Sequence, residues 1–370
     1  MEPPRRFPWF EDFLGGVAAI TARLLGADRV DLRTYSRLPP SEQEVSGAAY
    51  IGFGRMDVGH DVPEFIEYLL RAHRTLSAAE LERLRKVLGT LLHESIHLAL
   101  PGDYQIGAGA LGRTAPSGVF LEEGVTELTT RALLPHLLTQ LESVFPGISG
   151  QVPDRSRIYP NYLPATRELL SVVAGLPETR GRGALLELAR EGPERKMDLL
   201  VEQAMAGFGL TFYVPARNRD EVRSRIRSAL EAQVQGNHRW MVPPDRTKPR
   251  FLNTGEPEAL SVIMGKQMGF ELLRQLYAEG ERAGMELPDE WREILAEREV
   301  RTARKLLGRS KFTRPEAYQV IQSWIAAAAQ THKPRSPTIS PGEAWLRKAK
   351  GHRPRASWAR YANVGRGMTR

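Results

Sequence analysis

The chain has 370 residues, 52 Lys or Arg against 44 Asp or Glu, a net charge of +8 and no Cys. Lacking Cys, it can form no disulfide, thiolate metal site or cysteine nucleophile. Its length exceeds one typical domain, and 41% hydrophobic residues are enough for a sizeable core. No stretch approaches the ~20 apolar residues of a membrane span, and Glu11 and Asp12 interrupt the apolar run that a signal peptide would need. The expectation is a soluble, cytoplasmic protein.

In chain order, residues 10–26 read as a helix, with Phe13, Val17, Ile20 and Leu24 at helical spacing. Residues 29–35 alternate and read as a strand, Pro39-Pro40 as a loop, and residues 48–58 as a second strand. A short helix follows over residues 63–74. Ser77 with Glu80 three residues later is a capping box, so the next helix starts near Ala78. Leu81, Leu84, Leu88, Leu91 and Leu98 give it a core-facing stripe, and Pro101-Gly102 ends it.

That helix carries the motif around which the chain is organised, His93-Glu94-Ser95-Ile96-His97. Histidines at i and i+4 lie one turn apart on one helix face and can grip a single metal ion. Glu94 lies about 100° round from His93, too far to be a third ligand but able to reach water at the metal. This is the arrangement of a zinc hydrolase. The plain alternative is two solvated histidines on a helix surface. Leu91, Leu92, Ile96 and Leu98 around the motif argue against it, because histidines at a buried helix end need partners.

Residues 102–118 are rich in Gly and read either as a substrate loop or as a tolerated surface insertion. Residues 120–131 read as a helix that runs until Pro135, with Glu123 and Glu127 sharing a face. Like charges at i, i+4 repel by ~0.2–0.5 kcal/mol, which a cation beside them would remove. The alternative is a Glu127–Arg131 surface pair with Glu123 solvated.

His93-Glu94-x-x-His97 followed by Glu123-Gly124-x-x-Glu127 resembles the gluzincin class of zinc metallopeptidases, the thermolysin-like arrangement. The resemblance covers about residues 77–135 and, more loosely, extends to about 206. It implies an α+β, zincin-like fold with a predominantly helical C-terminal region. It also implies Zn²⁺ held by His93, His97 and Glu123, with Glu127 hydrogen-bonded to a ligand histidine. Glu94 would be the general base. Glu122 competes with Glu123 as ligand, but it lies on another face and lacks a partner at the matching offset. The 25 residues between His97 and Glu123 exceed the spacing of the most compact members, and the Gly-rich segment accounts for the excess. Gluzincins often place a Tyr or His over the metal to hold the oxyanion. Tyr162 and Tyr159 are the candidates, Tyr162 slightly favoured, although a Tyr before a helix usually serves packing.

Beyond an apolar helix at residues 165–173, residues 183–234 read as helical and charge-rich. Arg223, Arg225 and Arg227 are expected on a solvated helix. Of the remaining histidines, His136 is expected as core or cap, and His238, His332 and His352 in loops or the tail. The domain reading is a peptidase domain over 1–235, a Pro/Gly-rich linker over 236–257, a helical region over 258–330 and a basic tail over 331–370. The tail holds ten Lys or Arg against Glu343 alone, a charge of +9 that leaves −1 for the rest. Its composition reads as disordered, and Trp345, Trp358 and Tyr361 suit docking to an acidic partner or stacking on nucleic acid.

The function read from the sequence is a zinc-dependent peptidase acting on a peptide or protein substrate. Two other readings remain open: a catalytically silent protein of peptidase fold that docks through its tail, and a leaderless, toxin-like effector peptidase delivered by another system.

Overall fold

The computed structural model describes residues 8–38, 47–50, 54–72, 74–99, 116–151, 162–174, 183–241, 255–288, 290–309 and 322–327. Residues 102–115 of the Gly-rich segment, Tyr159 and the basic tail lie outside them.

The first helix, α1 (Pro8–Leu25), buries Phe10, Leu14, Val17 and Leu25. Three short strands follow: β1 (Thr34–Arg37), β2 (Gly47–Tyr50) and β3 (Arg55–Val58). They form one sheet in the order β1-β3-β2, with β1 parallel and β2 antiparallel to β3. The single strand expected over 48–58 is therefore a hairpin. Gly54, at φ +61, stands just before β3, and an added Cβ there would lie 2.7 Å from the Asp31 carbonyl oxygen. Only a residue without a side chain fits that turn.

After α2 (Val62–Arg71), the motif helix α3 spans Ala78–His97. Its capping box is present in both directions, Ser77 Oγ accepting from the Glu80 amide and Glu80 Oε2 from the Ser77 amide. Its far end is tied to the chain before β1, where the Asp31 amide donates to the Leu98 carbonyl at 2.9 Å. From Leu84 onward most of α3 is buried.

Helix α4 (Pro116–Leu141) is the centre of the molecule. It packs against α1, α3 and the later helices, and from Phe120 to Thr130 nearly every residue is buried. It does not stop at Pro135 as the sequence suggested. A proline inside a helix costs about 3 kcal/mol through its missing N–H and ring clash. Here Leu133, Leu134, Leu137, Leu138 and Leu141 are all buried around it and outweigh that cost. His136 falls on the exposed side of this last stretch, neither core nor cap.

The remaining chain is helical: α5 (Leu163–Ala174), α6 (Gly183–Arg190), α7 (Pro193–Gly207), α8 (Leu210–Tyr213), α9 (Arg219–Met241), α10 (Gly255–Arg282) and α11 (Trp291–Arg309). A boundary was expected over 236–257, but α9 continues to Met241, so His238 is helical. Helix α10 lies directly on α5. An added Cβ at Gly265 would sit 2.5 Å from the Ala165 carbonyl, and one at Gly269 2.8 Å from Val172 Cγ2. Met264, Met268, Leu272 and Leu276 of α10 join the same core as α1, α3 and α4. The α+β mix is thus a small sheet beside a mainly helical body.

The three arginines of α9 are not a solvated row. Arg223 pairs with Glu202 of α7, Arg227 with Asp198 of α7 at 2.8 Å, and Arg225 with Glu279 of α10 through two 2.9 Å contacts. Arg223 and Arg227, one turn apart on α9, both reach α7, while Arg225 on another side of the helix reaches α10.

No described helix is long and apolar enough to cross a membrane.

Candidate metal centre

The site forms where the last turn of α3 meets the second turn of α4. His93 and His97 point from α3, 2% and 6% exposed. Their Nε2 atoms face each other at 3.1 Å. Glu123 Oε2 of α4 lies 3.4 Å from His93 Nε2 and 3.6 Å from His97 Nε2. That oxygen is buried and has no hydrogen-bond partner.

These separations can be tested against an ion. Zinc lies 2.0–2.1 Å from His nitrogen and 2.0–2.2 Å from carboxylate oxygen, so tetrahedral donors are roughly 3.3–3.6 Å apart. The three observed edges fall at or close to that range. Among the described residues these three side chains form the one group able to hold a metal ion. The donor set, two imidazoles and a carboxylate, is one that divalent first-row metal ions accept.

Each histidine is also held from behind. His93 Nδ1 is 3.2 Å from Glu127 Oε2, and the other oxygen of Glu127 accepts from Arg131 Nε at 3.0 Å. His97 Nδ1 is 2.6 Å from Glu122 Oε1, and Glu122 Oε2 pairs with Lys196 Nζ at 3.0 Å. A carboxylate at Nδ1 accepts a hydrogen bond from the ring N–H, fixes the tautomer and leaves the Nε2 lone pair facing the centre. With both rings in that tautomer three electron-pair donors converge, a repulsion that a cation, or added protons in its place, relieves.

The electrostatics of the metal-free chain agree. Burial acts to lower the pKa of His93, yet Glu123 and Glu127 hold it above the usual value. His97 is raised well above it against the same burial, by Glu123 and Glu122. Glu123 resists the upward push of burial and lies far below the carboxylate range because of His97 and His93. Glu122 is lowered against burial by Lys196 and His97. Without an ion, protons stand in for it.

Local sequence explains the placement. Residues 122, 123, 126 and 127 form one broad face of α4 turned to α3. Thr126 Oγ1 also approaches His97 Nδ1, at 3.5 Å. Gly124 stands on another side, where α5 crosses, and an added Cβ would fall 1.9 Å from Thr166 Oγ1. This contact accounts for the Gly of the Glu-Gly-x-x-Glu pattern.

The structure thus brings together His93, His97, Glu123 and Glu127. Glu94 is buried on the same turn of α3, outside the converging three. Tyr162 is half-buried at the foot of α5, its carbonyl accepting from the Thr166 amide at 2.9 Å. Two supports escaped the sequence. Glu122 was set aside as a rival ligand lacking a partner, and its partner is His97. Lys196 belongs to no motif that would mark it, and it comes from a different helix, α7. The expected surface pair Glu127–Arg131 does exist, but Glu127 is fully buried and serves His93 as well.

Comparison with protein-family models, with curated proteins and with solved structures gives no match to this chain.

Proposed function

We propose that the chain is a zinc-dependent peptidase whose ion is held by His93, His97 and Glu123. The observation that carries this reading is the convergence of the two Nε2 atoms and Glu123 Oε2 at 3.1, 3.4 and 3.6 Å. The carboxylates behind both rings support it further. Three protein donors, rather than four, are the mark of a catalytic rather than a structural zinc site. When bound, zinc supplies Lewis acidity and lowers the pKa of a coordinated water to about 7.

The chain's own groups do the rest. Glu94 follows His93 directly and takes the proton from the attacking water, then delivers it to the leaving amine. Tyr162 is the candidate donor to the oxyanion of the tetrahedral intermediate. Glu127 and Glu122 keep the two imidazoles in one tautomer throughout. A peptide as substrate rests on the likeness of the paired His-Glu-x-x-His and Glu-Gly-x-x-Glu motifs to the gluzincins.

The test is cleavage profiling on a diverse peptide library with wild type and Glu94→Gln side by side. Glu94→Gln should keep its zinc and lose cleavage, since the amide cannot accept the proton. Zinc binding without any cleavage in the wild type would make the centre structural and sink the peptidase reading.

A further inference from the structure

Lys196 is a buried cation that the chemistry above does not use. It is 1% exposed. It stands in the first turn of α7, near the positive end of that helix, where a cation is disfavoured. Two unfavourable terms, desolvation and the helix dipole, therefore act on it together. Its Nζ donates to the Glu191 carbonyl at 2.7 Å and pairs with Glu122 Oε2 at 3.0 Å. The other oxygen of Glu122 is the one that meets His97 Nδ1 at 2.6 Å.

The same three-part arrangement therefore occurs twice, as Arg131–Glu127–His93 and as Lys196–Glu122–His97. Arg131 belongs to α4 itself, one turn beyond Glu127, and is partly exposed. Lys196 reaches in from α7. A clamp between α7 and α4 alone would not need ions there, since a buried ion pair can often be replaced by apolar side chains at no loss of stability. What an apolar pair cannot do is hold a carboxylate in a fixed orientation at a ring nitrogen.

We propose that Lys196 is a positioning residue for His97, fixing Glu122 so that the imidazole presents its Nε2 lone pair to the metal. The proposal rests on the metal-centre reading and adds how the second histidine is held. The chain of influence is directional: Lys196 acts on the ion only through Glu122. Its effect should therefore vanish once Glu122 can no longer serve as an anion.

The experiment measures zinc affinity by chelator competition in four full-length proteins: wild type, Lys196→Met, Glu122→Gln and the double variant. Far-UV circular dichroism checks folding, and the absorption spectrum of the Co²⁺-loaded forms reports the ligand field at the ion. Lys196→Met should weaken zinc binding by about 10–100-fold, the range for supports of metal ligands, and should alter the Co²⁺ bands. The double variant should bind zinc as Glu122→Gln does, with no further loss. The double variant leaves no unpaired buried charge, and its comparison with Glu122→Gln requires only that these two fold, even where Lys196→Met alone does not.

Wild-type affinity and an unchanged Co²⁺ spectrum in folded Lys196→Met would overturn the proposal. So would additive losses in the double variant. A wild type that takes no zinc would instead refute the metal-centre reading beneath it, a result distinguishable from either.

Discussion

Replacing Gly124 by Ala tests how the site is built, because the two effects involved have opposite signs. In an open helix, Ala is preferred over Gly by about 1 kcal/mol. At position 124 the new Cβ would stand 1.9 Å from Thr166 Oγ1, 2.7 Å from Thr166 Cβ and 3.1 Å from Thr166 Cγ2. Turning Thr166 about its χ1 moves Oγ1 and Cγ2 but leaves Cβ in place. That rotation would also break the hydrogen bond from Oγ1 to the Tyr162 carbonyl. Helix α5 must therefore move away from α4. Overpacking of this kind costs about 1–3 kcal/mol; with a contact this short the upper part applies, and the net loss should be about 1–2 kcal/mol after the helical gain. Urea unfolding should show a lower midpoint at an unchanged slope. Adding Thr166→Ala removes Oγ1 and Cγ2 and should restore part of the loss, since the remaining Cβ is still too close. A Gly124→Ala protein about 1 kcal/mol more stable than wild type, as propensity alone would give, would refute the close α4–α5 crossing.

Three further outcomes are expected. Glu127→Ala should weaken zinc binding by about 10–100-fold without abolishing it; complete loss of zinc, measured by metal analysis, would make Glu127 the ligand and Glu123 the supporter. Zinc binding should release protons, because His93 and His97 are held above their usual pKa in the metal-free chain. In sign, protonated His93 and His97 stabilise the metal-free fold fully below their unfolded pKa, and that contribution is lost as pH rises through the raised folded values. Zinc affinity should climb over the same window, and calorimetry in buffers of different ionisation enthalpy should give different heats; identical heats would contradict the proton count. Arg225→Met should cost roughly 1–3 kcal/mol, because Glu279 is 2% exposed and loses a two-point contact while keeping Arg282; an unchanged unfolding midpoint would show that Arg282 alone suffices.

The motif helix was legible because all its signals are local. Ser77 and Glu80 mark the start, and the leucines mark the buried face. His93 and His97 share one side of the rod by helical geometry alone. Glu123 and Glu127 could be read for the same reason. Glu122 could not, because its role depends on how α4 is rolled against α3, and that angle is set by packing. Yet a pattern of 122, 123, 126 and 127 on one face was available, with Thr126 as its neutral member. Lys196 was invisible: its partner is 74 positions away, a separation given by 196 − 122 in the sequence, and lysine is ordinarily a surface residue. Pro135 misled in the other direction. Its local cost is real, but the buried leucines beyond it lie on the core side of α4 and outweigh that cost. The alternating arginines of α9 misled likewise, since periodicity shows where side chains point and not which acids await them.

The metal centre is tested by one titration: zinc into metal-free wild type and into Glu123→Ala, followed by calorimetry with metal analysis of the dialysed protein. About one zinc per wild-type chain and strongly reduced occupancy in Glu123→Ala are expected, because the carboxylate at 3.4 and 3.6 Å from the two Nε2 atoms completes the donor set. A wild type that takes up no zinc, or a Glu123→Ala protein that holds it as tightly, would contradict the centre described here.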